Sequence, residues 1–180
     1  GDAFWLIHDG RTGKVRYIDG GGRAAVNATI SRLSEMKCDH VPLKGIIPAT
    51  LTTPGAVASW SLAHDDYGRL PMTRILEHAI GYAREGYPVT QRLANATGLQ
   101  NSELAKHPES AKVFLPNGKA PVSGAIQVNE NLARTLEIYA QAGLSGFYEG
   151  EVAKEMALFS KQRGGIFTAE DLAAQKGKWG

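Results

Sequence analysis

The order of apolar and polar positions predicts a β-hairpin over the first twenty residues. Residues 3–8 form a short, mostly apolar run, which is typical of a strand buried on both faces. Residues 14–19 alternate between polar and apolar side chains, as expected for an antiparallel partner. Residues 9–13 carry two glycines suited to a turn, and Gly20, Gly21 and Gly22 follow the second strand, where close approach of the backbone is possible.

Beyond the hairpin, the apolar spacing changes to that of helices. We expect Thr53 to cap a helix that ends at Gly68, with Pro54 at its first position. A second helix is expected to open at Pro71 and to end near Gly86, with an apolar stripe along one side. This stripe consists of Ile75, Leu76, Ala79, Ile80 and Ala83.

Two further helices and a capping box are expected in the last third of the chain. Asn129 is placed to cap one helix, and Val152, Met156 and Phe159 have helical spacing in the next. Thr168 and Asp171 resemble a capping box, with Asp in place of the usual Glu or Gln. Residues 95–123 are predicted to be rich in loops, with a short helix near residue 102. The patterns therefore predict a mostly helical α+β chain.

Composition and charge exclude several classes of protein. The chain has 180 residues, of which 43% are apolar and 21% charged, and this is ordinary for a globular protein. Twenty basic and eighteen acidic side chains leave a formal charge of +2, without the basic stripe of a nucleic-acid-binding protein. No apolar run is long enough to predict a membrane span. The single cysteine, Cys38, is expected to be a buried or incidental thiol.

No motif in the chain by itself predicts a catalytic centre. The triple glycine lacks the spacing of a dinucleotide or phosphate loop, and the five histidines lack the spacing of a zinc helix. Among residues 50–53, a threonine would need an adjacent base, or would need to be the N-terminus, to act as a nucleophile. We therefore favour a structural role for Thr53, and we predict no catalytic residue, metal or cofactor in this chain.

An ordered set of short motifs resembles the γ-glutamyltransferase (γ-glutamyltranspeptidase) family of the N-terminal-nucleophile hydrolase superfamily. Each motif alone would be a weak signal, but their order and approximate spacing hold across nearly the whole chain. The matching stretches are residues 1–6 (GDAFWL), 53–60 (TPGAVASW), 67–71 (YGRLP), 83–89 (AREGYPV), 131–136 (NLARTL), 147–150 (FYEG) and 164–172 (GGIFTAEDL).

The resemblance implies an αββα sandwich to which this chain contributes a hairpin and helices. It implies that residues 1–180 are a single partial domain within the large subunit, with an upstream segment and the small subunit outside the chain. The partner would be a small subunit cut from the same precursor, whose N-terminal Thr attacks a γ-glutamyl or similar amide, with its own α-amine as base. Many relatives are periplasmic or secreted. The chain alone would be inactive, and we expect it to be poorly soluble or loosely packed.

One departure from the family pattern concerns the substrate. Transferases of the family carry an arginine shortly after the second strand, and this arginine grips the α-carboxylate of the γ-glutamyl group. Aligned on Asp19 and Ala24, the present chain has Gly21 at that position, and Arg23 stands two residues further on. We predict Arg23 as the substrate-binding residue, with a surface or packing role for it as the alternative. Two other functions remain open, a cephalosporin-type acylase of the same family and a non-enzymatic helical binding domain.

Overall fold

A computed structural model describes residues 1–37, 39–40 and 50–180 of the chain. The predicted role of Cys38 therefore lies outside the described residues. The strands are β1 (Ala3–Asp9), β2 (Lys14–Gly20), β3 (Tyr87–Pro88), β4 (Ile126–Gln127) and β5 (Lys178–Trp179). The helices of the first half are α1 (Ile30–Glu35), α2 (Ala56–Tyr67), α3 (Met72–Ile75), α4 (Glu77–Glu85) and α5 (Gln91–Leu99). They are followed by α6 (Asn101–Leu104), α7 (Pro108–Phe114), a 3₁₀ turn (Pro116–Gly118), α8 (Glu130–Tyr148), α9 (Glu151–Gln162) and α10 (Ala169–Ala173).

The chain separates into two compact units. Unit 1 comprises Gly1–Pro71 and Gln141–Gly180, and unit 2 comprises Met72–Ala140. The mixture of a small antiparallel sheet with many helices confirms the predicted α+β class. No helix among the described residues is long and apolar enough to cross a membrane.

The sheet of unit 1 is built on the predicted hairpin, with strands in the order β1-β2-β5. Strands β1 and β2 pair antiparallel from Ala3 opposite Gly20 to Asp9 opposite Lys14, which confirms the hairpin and its turn. Strand β5 pairs with the other edge of β2, where Ile18 lies opposite Trp179. The Arg16 guanidinium lies 3.6 Å from the centre of the Trp179 ring, so a cation–π contact reinforces this short pairing.

Helix α2 covers only one face of the sheet. On that face Ile18 is fully buried and the Trp5 indole N–H donates to Ser59 Oγ at 2.9 Å. On the other face Phe4 and Leu6 are 72% and 80% exposed. Among the described residues the prediction that β1 is buried on both faces is therefore wrong, because an apolar run does not show how many layers pack on a strand.

The start of α2 also differs from the prediction. Gly55 occupies the N-cap position without a side-chain hydrogen bond, and Thr53 lies before the helix. The Tyr148 hydroxyl holds this start in place, since it donates to the Pro54 carbonyl at 2.6 Å and accepts from the Ala58 N–H at 3.1 Å. The predicted end at Gly68 is confirmed, whereas the predicted cap at Thr53 is wrong because its hydroxyl is engaged elsewhere.

Unit 2 contains the helices from α3 to α7, the first part of α8, and the two-stranded β3-β4 sheet. The Arg84 guanidinium joins α4 to α8 by two bonds to the Glu137 carboxylate, at 2.7 and 2.6 Å, with a third at 3.3 Å to Glu130. These bonds to the guanidinium hold the pKa of Glu137 below its usual range. The ion pair lies at the surface, so it orients the two helices rather than forming part of a core.

The helix boundaries in the middle of the chain are corrected in two places. The helix expected from Pro71 to Gly86 is split into α3 and α4, and Ile75 is 46% exposed rather than part of one buried stripe. The segment expected to be loop-rich holds most of α5 together with α6 and α7. The short helix expected near residue 102 is confirmed as α6. The Asn129 cap is confirmed as well, since its Oδ1 accepts from the Leu132 N–H at 3.1 Å.

Candidate substrate-binding segment

The candidate site is the segment at the end of β2, residues 20–23, which we call the glycine segment. Two of its glycines are required because other backbone atoms come close. A Cβ added to Gly20 would lie 2.4 Å from the Ala3 carbonyl oxygen, and one added to Gly22 would lie 1.8 Å from the Thr53 carbonyl oxygen. Real Cβ atoms do not approach oxygen so closely, so only glycine fits at these two positions without displacement of the backbone.

Gly21 differs from its two neighbours because it has room for a side chain. A Cβ at Gly21 would meet Asp19 Oδ1 at 3.0 Å and the Phe4 ring at 3.7 Å, which requires only a small adjustment. Its backbone φ does not lie in the left-handed region, so a side chain would not strain the main chain. A residue with a Cβ is therefore sterically possible at position 21, in contrast to positions 20 and 22.

Buried polar groups fix the backbone of the glycine segment. Gln175 is 4% exposed, and its Oε1 accepts from the Arg23 N–H at 3.0 Å. Its Nε2 donates to the Gly21 carbonyl at 3.2 Å and to the Lys176 carbonyl at 3.3 Å. The oxygen and the nitrogen of one side-chain amide therefore hold the two peptide groups that flank Gly22.

Thr53 completes this arrangement from the opposite side. Its hydroxyl lies 2.6 Å from Gln175 Oε1 and 3.1 Å from the Arg23 carbonyl oxygen, and its backbone N–H donates to the same carbonyl at 2.9 Å. Thr53 is fully buried, so these hydrogen bonds do not compete with water. A buried and engaged hydroxyl agrees with the structural role that the sequence favours for Thr53 over a nucleophilic one.

Two carboxylates bind the remaining N–H groups of the glycine segment. Asp19 Oδ1 accepts from the Gly21 N–H at 2.8 Å, and Asp2 Oδ1 accepts from the Gly22 N–H at 2.8 Å. Further along, Asp171 Oδ1 accepts from the Val26 N–H at 2.9 Å. Asp171 also closes the capping box with Thr168 at the start of α10, which confirms that prediction. The main chain after β2 is thus held by side chains from three separate parts of unit 1.

The predicted substrate-binding residue, Arg23, has a fixed backbone and an exposed side chain. Within the described part of the chain, its guanidinium forms no hydrogen bond or ion pair. The geometry places Arg23 and Gly21 two residues apart on one fixed segment. The substrate-binding role of Arg23 stays a prediction.

The sequence did not predict Gln175 or the polar role of Thr53. No local pattern distinguishes Gln175 from other polar residues near the end of a short helix, and its partners Gly21 and Arg23 lie 154 and 152 positions away. Thr53 precedes a proline, a context that favours a capping role, whereas the structure shows its hydroxyl in contact with Gln175 and with the Arg23 carbonyl.

Comparison with known proteins assigns the family. The family described as Gamma-glutamyltranspeptidase matches residues 1–180. The glutathione hydrolase-like YwrD proenzyme of Bacillus subtilis is 36% identical over 179 residues, which are 99% of this chain and 34% of that protein. The chain therefore belongs to the γ-glutamyltranspeptidase family, as its motifs indicate, and it spans about a third of the length of this curated relative.

Solved structures agree with this assignment. The cephalosporin acylase from Bacillus halodurans superposes with a TM-score of 0.90 at 33% identity, covering 99% of this chain and 34% of the acylase chain. The γ-glutamyltranspeptidase of Helicobacter pylori superposes with a TM-score of 0.87 at 28% identity, covering 99% of this chain and 52% of that chain. The chain thus has the fold of part of an N-terminal-nucleophile hydrolase of this family.

Proposed function

We propose that the chain is part of a γ-glutamyltransferase-like amidohydrolase or acyltransferase whose nucleophilic threonine lies outside it. The observation that carries the proposal is the family match, which extends over all 180 residues. In the proposed reaction, the threonine hydroxyl attacks the amide carbonyl and the amide nitrogen leaves as a protonated amine. The acyl group then passes from the threonine to water or to an acceptor amine. The present chain positions groups around the acyl donor and performs no step of the reaction itself.

The outer face of the hairpin supports a partner from the same precursor. This face carries four apolar side chains that are 55–80% exposed, namely Phe4, Leu6, Val15 and Tyr17. Alternate residues of a strand point to the same face, and the pairing of β1 with β2 places Tyr17 opposite Leu6 on this face. A sheet face of this composition is usually covered in a folded protein. We assign it to a sheet of the small subunit, with which it would form the central layers of an αββα sandwich.

The glycine segment is the part of this chain that we assign to the acyl group. Arg23 is the exposed cation on this segment. Position 21 holds a glycine in this chain, whereas transferases carry there the arginine that grips a γ-glutamyl α-carboxylate. Two acyl classes follow, γ-glutamyl and the side-chain acyl groups of cephalosporin-type substrates. Gly21 and the similarity to the cephalosporin acylase favour the second, whereas the similarity to the γ-glutamyltranspeptidase favours the first.

A denaturing mass spectrum of the protein that contains this chain tests the proposal first. We expect a companion polypeptide that begins with threonine, and activity on either γ-glutamyl-p-nitroanilide or glutaryl-p-nitroanilide. A protein that shows neither a companion with N-terminal threonine nor any amide hydrolysis would overturn the proposal. The remaining candidate would then be a non-enzymatic helical binding domain.

Changing Gly21 to arginine tests which acyl class the segment serves. Because Gly21 has room for a Cβ, G21R should place a guanidinium where transferases carry theirs. We expect kcat/KM for γ-glutamyl-p-nitroanilide to rise roughly tenfold relative to glutaryl-p-nitroanilide, the value of one charge-assisted contact. The matched control is G10R, which adds the same charge in the exposed turn of the hairpin. An equal change in both variants would show that the added charge acts only at long range.

A further inference from the structure

The Gln175 side chain hydrogen-bonds to the backbone on both sides of Gly22. It binds the Gly21 carbonyl through Nε2 and the Arg23 N–H through Oε1, at 3.2 and 3.0 Å. The peptide groups on either side of Gly22 are therefore held by one rigid amide plane. Position 21 and position 23, the two positions that distinguish acyl classes in the proposed function, cannot shift independently while these bonds are intact.

The chemistry of the contact requires an amide in this place. Oε1 accepts two hydrogen bonds, from the Arg23 N–H and from the Thr53 hydroxyl, while Nε2 donates two, to the carbonyls of Gly21 and Lys176. A carboxylate offers acceptors only, and an apolar side chain offers neither acceptor nor donor. Because Gln175 is 4% exposed, water is not available to replace the lost partners.

We propose that Gln175 is a positioning residue for acyl-donor recognition. Gln175 acts through the glycine segment, whose conformation decides where Arg23 and any side chain at position 21 contact the substrate. The Thr53 hydroxyl orients Gln175 by its hydrogen bond to Oε1. The proposal rests on the proposed function, since it assumes that the glycine segment lies at the acyl site. Gln175 does not touch the substrate, so its effect is on donor binding and selectivity and not on the nucleophile.

Gln175→Met removes all four hydrogen bonds while keeping a side chain of similar length. In the complete precursor-derived protein, we expect kcat/KM for the preferred p-nitroanilide donor to fall roughly 10- to 100-fold, the cost of a displaced recognition segment. The loss should appear mainly as a raised KM for the donor, and the discrimination between γ-glutamyl and glutaryl donors should weaken. The KM of an acceptor amine should remain unchanged.

Ser160→Ala is the matched control. Ser160 is also 4% exposed, and its hydroxyl donates to the Phe167 carbonyl at 2.9 Å, away from the glycine segment. This variant loses a buried hydrogen bond of similar kind and should keep the donor selectivity of the wild type. If Q175M and S160A change donor selectivity equally, or neither changes it, Gln175 has no positioning role and the proposal is overturned.

Gln175→Glu supplies a pH-dependent readout of the hydrogen bonds that Gln175 makes to the glycine segment, and donor selectivity is the quantity to be measured. A protonated carboxyl can both accept and donate, as the amide does, whereas the ionised form turns an oxygen toward the Gly21 and Lys176 carbonyls. We expect burial, together with the carboxylates of Asp2 and Asp19 that bind the same segment, to raise the pKa of the introduced group, while the adjacent Lys176 opposes the shift. The kcat/KM of Q175E relative to wild type should therefore rise as pH falls from about 8 to about 5. A ratio that does not depend on pH contradicts the proposal.

If Q175M fails to mature, a second pair of variants, at Thr53, tests the same proposal. Thr53→Ser keeps the hydroxyl that orients Gln175 Oε1, and Thr53→Val removes it with little change of volume. Donor selectivity should be retained in T53S and weakened in T53V, and identical selectivity in the two would overturn the proposal. Failure of the proposed function is distinguishable from all these outcomes, since the wild type itself would then lack both a threonine-initiated companion and amide hydrolysis.

Discussion

The two ends of the hairpin carry segments of almost the same composition and are held in opposite ways. Residues 9–13 (DGRTG) form the turn between the strands, and residues 19–23 (DGGGR) lead away from β2. In the turn, the Asp9 carbonyl accepts from the Thr12 and Gly13 N–H groups at 3.2 and 2.8 Å, and Asp9 Oδ1 accepts from the Arg11 N–H at 2.9 Å. Each of these bonds spans at most four positions of the chain.

The second segment makes most of its hydrogen bonds over long distances in sequence. Gly22 binds Asp2, 20 positions away, and Gly21 and Arg23 bind Gln175 across more than 150 positions. An Asp, glycines and an Arg are therefore compatible with an exposed local turn or with a partly buried segment that is fixed by distant residues. The difference shows that the surroundings, and not the composition, make residues 20–23 a candidate site.

The largest expected contrast between the two segments is in their tolerance of a single methyl group. Gly22→Ala would place a Cβ 1.8 Å from the Thr53 carbonyl oxygen, whereas an added Cβ at Gly10 has no neighbour within 4 Å. We expect G22A to lower the free energy of unfolding of the complete protein by roughly 3 kcal/mol, at the upper end of overpacking costs. G10A should change it little. Chemical denaturation of both variants measures the difference, and equal stabilities would show that the close approach at Gly22 can relax.

A threonine pair gives an intermediate contrast. The Thr53 hydroxyl is buried and lies within hydrogen-bond distance of Gln175 Oε1 and of the Arg23 carbonyl oxygen, whereas the Thr12 hydroxyl accepts an exposed bond of 3.4 Å from the Lys14 N–H. We expect T53V to lower the free energy of unfolding by about 1–3 kcal/mol, because buried partners are left unsatisfied. T12V should have little effect. A Thr12→Val change as costly as Thr53→Val would mean that burial does not separate the two segments.

The smallest expected effect is the pH dependence of the turn. The hydrogen bond from the Arg11 N–H holds the pKa of Asp9 below its usual value of 3.8. A carboxyl whose pKa is lowered by folding contributes stability above its unfolded pKa and loses it as pH falls through the folded pKa. Asp9→Asn should therefore be slightly less stable than wild type above about pH 4, and the difference should vanish at lower pH.

This prediction can be checked by an NMR titration of the Asp9 carboxyl together with acid unfolding of wild type and D9N. The effect is confined to one carboxyl at the surface of a local turn, so it should be the least of the three contrasts. A D9N difference that persists unchanged below pH 3, the acid side of the usual carboxyl range, would show that Asp9 stabilises the turn by something other than its charge.

Local chemistry explains which parts of the fold the sequence predicts. The hairpin, the Asn129 cap and the Thr168–Asp171 capping box depend on residues within a few positions of each other, and all were predicted. Where a neighbour distant in sequence decides the outcome, prediction fails. The sequence around Thr53 is typical of a helix cap, but Thr53 binds Gln175, and the sequence of β1 is typical of a strand buried on both faces, but the described residues leave one of its faces exposed.

The sequence alone determined the hairpin, some helix termini such as the Asn129 cap and the end at Gly68, and the family, because these follow from short motifs and their order along the chain. It also placed Arg23 and Gly21 at the end of β2, where the family pattern locates acyl recognition. Only the tertiary structure decided that Gly20 and Gly22 must be glycine, that Gly21 need not be, and that Gln175 holds the segment. The physical reason is that steric clearance and buried hydrogen bonds depend on which backbones meet in space, and no local pattern records this.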